Sequence, residues 1–314
     1  MTVNFHIPNF SDRFKFNLVY LTMMEKCPQF FREGVKIASV FGVFPPSMWN
    51  GGRTQGGTCD KEFISVVLKS FNSRGIPVRF TFTNPMLEEK HLSDPFCNMV
   101  LKMADNGMNE VIVVSPILED YIRKNYPNYK ITSSTCKRLD SIDGLNAELE
   151  KDYNLVVMDY DLNNRFDLLE QVKDKARTEI LINACCMPNC KNRVDHYKSI
   201  GLQQIAYCEH LAKYPNKQFN AEEAVEPQYR HILKCPTMDL TPFDIRKHRT
   251  HITPDDIWEK YVPMGFRHFK IEGRTSTTIT LMENYLYYMV KPEYRDEARY
   301  LLMMNLRNNN EMSF

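Results

Sequence analysis

Short β-rich runs alternate with longer amphipathic stretches along most of this chain, and that alternation leaves few architectures open. The runs are VKIASVFGV (35–43), PVRFTFTN (77–84), EVIVVSP (110–116), YKITSST (129–135), NLVVMDYD (154–161), EILINA (179–184) and HFKIEG (268–273). One weaker candidate lies between the last two, either HILKCPT (231–237) or RTHIT (249–253), which makes eight. The stretches between them carry helix signals. Phe63, Val66, Val67, Ser70 and Phe71 recur at helical spacing before Gly75. Ser115-Pro116 reads as an N-cap with proline at the first helical position, and Pro127 lies past the far end. Thr253-Pro254-Asp255-Asp256 opens a helix with Ile257, Trp258, Tyr261 and Val262 on its apolar face, before Gly265. Strands alternating with helices build parallel sheets, and eight units over roughly 250 residues match a (β/α)8, TIM-barrel-like α/β fold. A doubly wound open sheet is the alternative, but no GxGxxG or P-loop supplies it with a nucleotide site. The chain is expected to be one barrel over residues 1–314, closed by a helical segment, 276–314.

Composition narrows the function classes. Forty basic residues oppose 39 acidic ones, a formal charge of +1, so no global charge points to DNA. No apolar stretch approaches the roughly 18 residues of a membrane span, and MTVNFHIPNFSDRFKF lacks a secretory pattern. A cytoplasmic location is expected. Nine unevenly spaced cysteines suit reduced thiols or metal ligation better than a disulfide framework.

In a barrel the C-terminal ends of the strands carry the chemistry. The residues falling there include Asn50 to Arg53, Asn84, Ser115, Thr135 to Lys137, Asp159, Asp161, Asn183, and Glu272 to Arg274. Cys186 and Cys190, with three residues between them that include Pro188-Asn189, can reach one metal, and Cys235-Pro236 is a third candidate ligand. A four-iron cluster or a structural zinc needs a fourth ligand. Cys208, Cys59, Cys136 and Cys185 compete for that place, and Cys208 is taken here. Cys27 and Cys97 lie within apolar stretches and read as buried thiols. Strand parity turns Cys185 away from Cys186. His196 could be a ligand, a proton donor or a surface residue. No Ser/His/Asp order or HExxH is present, and Tyr285, Tyr287 and Tyr288 read as packing.

Several of these segments together resemble one family. FKIEGR (269–274) resembles the signature of the U32 peptidases, or collagenase-like proteases. NACCMPNCKNRVDHY (183–197), NGGR (50–53) and FTFTN (80–84) resemble segments of a U32-like branch, in the expected order over about residues 35 to 275. The resemblance implies a (β/α)8-type barrel. It also implies, for several members, a [4Fe–4S] cluster used in oxygen-independent hydroxylation of ubiquinone precursors or RNA bases. Carried to this chain, it makes Cys186, Cys190 and Cys235 cluster ligands and puts Arg193, His196, Glu272 and Arg274 around the cavity. Arg53 and Asn84 complete the expected catalytic set. A small molecule or an RNA base is the expected substrate, with a protein of the same family as a partner. The alternatives are zinc in place of the cluster, a U32-type peptidase, or a non-catalytic scaffold. The usual four-cysteine spacing of the family is not reproduced here.

Overall fold

The computed structural model describes residues 1–235 and 240–311. Eight parallel strands close into a barrel in chain order: β1 (Val3–Pro8), β2 (Val35–Gly42), β3 (Val78–Phe82), β4 (Glu110–Val113), β5 (Lys130–Ser133), β6 (Leu155–Val157), β7 (Thr178–Leu181) and β8 (His268–Lys270). β1 closes the ring by pairing with β8, Phe5 opposite Phe269. The (β/α)8 fold expected from the alternation is the fold found.

Two strand assignments change. VNFHIP is β1, hidden from a reading of apolar runs because Asn4 and His6 interrupt it; His6 turns into the barrel and bonds Ser39 at 2.7 Å. The weaker candidate between β7 and β8 is not a strand. Residues 227–234 form a 3-10 helix, Pro236 and Thr237 lie outside the described residues, and 249–253 is a loop whose Ile252 N–H bonds the carbonyl of Ile182, just past the end of β7, at 3.0 Å. EILINA is therefore the seventh strand, not the sixth.

The local signals act as their chemistry requires. Asp60 caps the helix Lys61–Asn72 by accepting from the Phe63 amide, and Gly75 ends the turn beyond it at φ +69°. That helix buries Ile64, Val67, Leu68 and Phe71, while Val66, expected inside, is exposed. Pro116–Asn125 starts at its proline, and Thr253 forms a reciprocal capping box with Asp256. The C-terminal helices Thr278–Met289 and Arg295–Asn308 pack against the barrel. Tyr285 donates to Asn17 at 2.9 Å, so the tyrosines there are packing residues as expected. Among the described residues no helix is long and apolar enough to cross a membrane.

The barrel interior holds charge. Arg79 is fully buried and reaches Glu179 at 2.6 Å, Glu110 at 3.1 Å and Thr132 at 2.8 Å. Glu179 also meets Lys270 at 3.1 Å and His6 at 3.5 Å, and His6 lies 2.9 Å from His268. Burial alone would raise the pKa of Glu179, but Arg79, Lys270 and His6 hold it well below the carboxylate range. Burial lowers the pKa of His6 and His268, the latter to about 4. This ion network fills the barrel below the functional face and forms its floor.

Candidate active site at the barrel mouth

The C-terminal end of the barrel opens into a cavity of about 70 Å³. By volume it takes on the order of a handful of waters or the end of a substrate, not a folded segment. Gly52, Arg53, Thr81, Cys136, Tyr160, Cys186, Tyr197, Lys270, Glu272 and Arg274 face it.

Sequence sets this geometry directly. In FKIEGR, Lys270, Glu272 and Arg274 alternate, so extended backbone directs all three to one side while Ile271 is buried on the other. Asn183 continues the β7–β8 pairing beyond the last strand residues. Its side chain accepts from the Glu272 amide at 2.6 Å and donates to the Glu272 carbonyl at 3.1 Å, which fixes the backbone under the carboxylate. The glycine pair of NGGR answers to space. A Cβ on Gly51 would stand 2.0 Å from the Thr83 carbonyl oxygen, and Gly52, at φ +71°, lies against the Arg274 guanidinium.

Glu272 is the hub. It pairs with Arg53, accepts from the Cys185 amide at 2.9 Å, and lies 3.1 Å from the Cys185 thiol. Arg53 also reaches the Cys185 sulfur at 3.0 Å. The carboxylate beside it holds the pKa of Arg53 well above its ordinary value, so Arg53 is a permanent cation here. Cys185, expected to face away, instead belongs to the site. β7 ends at Leu181, and strand parity no longer governs residues 182–186.

The two adjacent thiols are driven apart in acidity. Hydrogen bonding from Cys185 brings the pKa of Cys186 down to about 6, against the effect of its own burial, and Arg53 adds to the lowering. The Cys185 thiol is pushed well above its usual range by the same hydrogen bond, by burial and by Glu272. The two shifts run in opposite directions, which biases the pair toward negative charge on Cys186 and the proton on Cys185. Burial raises the pKa of Cys136.

Arg274 differs from Arg53 in its partners. It donates to Asn50 Oδ1 and Thr81 Oγ1 at 2.8 Å each and to the Gly51 carbonyl at 2.5 Å, all neutral oxygens. No carboxylate among the described residues lies within ion-pair distance of it. Burial, and then Arg53, lower its pKa to about 10.

Other expected residues fall elsewhere. Asn84 is fully buried and bonds only backbone: it donates to the carbonyls of Met48 and Gly201 at 3.0 Å each and accepts from the Met86 amide. It ties a loop to the long helix Arg193–Lys213 and does not line the cavity. Arg193 is buried in an ion cluster with Asp159 and Asp161 at 2.8 Å, under the ring of Tyr160. It anchors the start of that helix. His196 stands one turn in, half-buried, with its pKa lowered by burial and by Arg53; it is not among the residues facing the cavity.

The cysteines expected to share a cluster are dispersed. Cys186 faces the mouth cavity, whereas Cys190 lines a separate groove with Arg138, Asp161 and Arg249. Cys208 is buried on the long helix beside Gln204, its thiol pushed up to about 12 by burial. Cys235 borders the segment 236–239, outside the described residues. Cys59 instead donates to the Pro45 carbonyl at 3.1 Å. Among the described residues no group of three His, Cys, Asp or Glu side chains is placed to hold a metal ion. These donors do not fit a four-cysteine centre. Sequence reasoning missed Lys270, Tyr160 and Tyr197 at the cavity; the alternation within FKIEGR was the signal for the first.

No family model matches the chain. It is 22% identical over 183 residues to a protein described as an uncharacterized protease of Methanocaldococcus jannaschii; the match covers 57% of this chain and 49% of that protein. The chain thus spans about half the length of this curated relative. Among solved structures it is similar to that of the U32 peptidase Mk0906, at 12% identity and a TM-score of 0.48 over 87% of this chain and 94% of the other. Neither bears on an iron–sulfur branch.

Proposed function

We propose that the chain is a U32-type barrel enzyme whose reaction centre is the mouth cavity and whose reactive group is the Cys186 thiolate. One observation carries this reading: the Cys186 thiol faces the cavity next to Cys185, whose sulfur lies 3.0 Å from Arg53 and 3.1 Å from Glu272, and its pKa is lowered. A thiolate of that kind suits acyl-bond cleavage, and the protease description of the M. jannaschii relative agrees with a peptide bond as the target. The Cys186 sulfur adds to the carbonyl carbon, and the C–N bond breaks. The amine leaves with the proton of the Cys185 thiol. Water then hydrolyses the thioester, releasing the acid and the Cys186 thiolate and returning a proton to Cys185. Arg53 and Glu272 hold the Cys185 sulfur in place. In this assignment Arg274 and Lys270 bind substrate, and Asn84, Arg193 and His196 position the loops.

The test is digestion of a peptide library followed by mass spectrometry. Cys186→Ser should abolish cleavage, while Cys186→Ser protein that still cleaves would defeat the assignment. The competing reading is oxygen-independent hydroxylation of a small molecule or RNA base by a [4Fe–4S] cluster on Cys186, Cys190, Cys235 and Cys208. It is the weaker one because Cys186 and Cys190 open onto different cavities. Iron and acid-labile sulfide in stoichiometric amounts after anaerobic purification would reinstate it; zinc alone would support a structural site.

A further inference from the structure

The mouth cavity holds one guanidinium, that of Arg274, which no carboxylate pairs among the described residues. Arg53 is matched by Glu272. Arg274 has only neutral oxygens around it, and three hydrogen bonds occupy part of a guanidinium that has five N–H donors. Lys270, at the floor, meets Glu179 at 3.1 Å, a carboxylate that Arg79 also reaches at 2.6 Å while pairing with Glu110 at 3.1 Å. Burial lowers the pKa of Lys270 despite that partner. One more polar group waits at the wall: Thr135 Oγ1 is buried without a hydrogen-bond partner among the described residues and borders the same space. Buried cations without full compensation are costly, and a buried hydroxyl without a partner adds to the cost. Both costs are relieved when an anion with several acceptor oxygens enters.

Size and topology choose the kind of anion. The cavity holds about 70 Å³, and the Arg79–Glu179–Lys270 network closes it from below. A polypeptide cannot pass through; it can only enter by an end. A planar carboxylate matches the remaining edge of a guanidinium bidentately. We propose that this cavity is a receptor for the free C-terminal carboxylate of a peptide, held between Arg274 and Lys270 with Thr135 donating to it, which makes the chain an exo-acting rather than an internally cutting enzyme. This rests on the mouth being the reaction centre, and it gives that centre a substrate class.

Binding tests it independently of turnover. Acetyl-alanyl-alanine, its C-terminal amide and inorganic phosphate are titrated calorimetrically into full-length Cys186→Ser protein. The free acid should bind at least about tenfold more tightly than the amide. That preference should fall to under about threefold in the additional variants Arg274→Gln and Lys270→Met. The acid-to-amide comparison needs neither variant, so a misfolded one leaves the test intact. Equal binding of acid and amide, a preference that survives both substitutions, or phosphate binding more tightly than the acid would each overturn the proposal. Failure of the thiolate assignment appears elsewhere, as cleavage by Cys186→Ser protein with the acid preference unchanged.

Discussion

A thiol with its pKa near 6 has a pH signature that separates it from an ordinary cysteine. With Cys186 at about 6, roughly a quarter is thiolate at pH 5.5, against about 0.1% for a reference thiol at about 8.5. That is an advantage of about 240-fold in the reactive form. The lower basicity of the thiolate costs part of it: a Brønsted slope of about 0.4–0.5 over about 2.5 units removes roughly 10- to 20-fold. The net expectation is alkylation of Cys186 some 10- to 25-fold faster than the reference at pH 5.5, shrinking to near parity at pH 7.5. The assay is iodoacetamide labelling across pH 4.5–9, with site-resolved mass spectrometry and a small thiol as internal reference. Because Cys186 is partly buried, the shape of its profile decides, not the absolute rate. Cys185→Ala should move the half-rise upward more than Arg53→Gln, since the neighbouring thiol is the larger cause of the lowering. A Cys186 profile that rises only above pH 8, in parallel with the reference, would refute the reasoning.

Three further outcomes follow from the packing. Glu179→Gln leaves Arg79 and Lys270 without their shared carboxylate inside the barrel, and should cost about 3–5 kcal/mol in urea denaturation. Gly201→Ala sets a Cβ 2.3 Å from Asn84 Oδ1 and should destabilise by about 1–3 kcal/mol despite the better helix propensity of alanine; the penalty should shrink in an Asn84→Ala background. His251 and His268 both have pKa values lowered to about 4, first by burial. Their neutral forms are favoured by folding, so that stability is present above the unfolded pKa of about 6.5 and is lost as pH falls towards 4. Thermal unfolding should show the loss in that window, and replacing His251 with Gln should flatten part of it.

The barrel was legible because its signal is repetitive: seven of the eight strands are apolar runs whose periodicity differs from that of the helices between them. β1 was not, since a strand that feeds His6 into a buried ion network does not look apolar. The same blindness hid the network itself. Arg79, Glu110 and Glu179 sit in runs that read as hydrophobic, and only closure of the barrel brings them together. At the mouth, Arg53, Glu272 and Arg274 were visible from their place at strand ends, and the structure brings them to one cavity. Cysteine spacing was the poorer guide. Three intervening residues permit Cys186 and Cys190 a common metal, but the turn at Asn189, with φ +56°, and its bond to Asp161 carry Cys190 into another groove. Cys185 was misread because parity was extended past the end of β7.

Cleavage of peptide acids by three otherwise identical proteins tests the central claim most directly: the wild type, Cys186→Ser and Cys190→Ser, each assayed by mass spectrometry alongside iron analysis. A thiolate centre at the barrel mouth predicts that Cys186→Ser loses cleavage while Cys190→Ser keeps it, with iron absent from all three. Cleavage that survives Cys186→Ser, or equal loss in both variants together with iron that both of them lose, would contradict it.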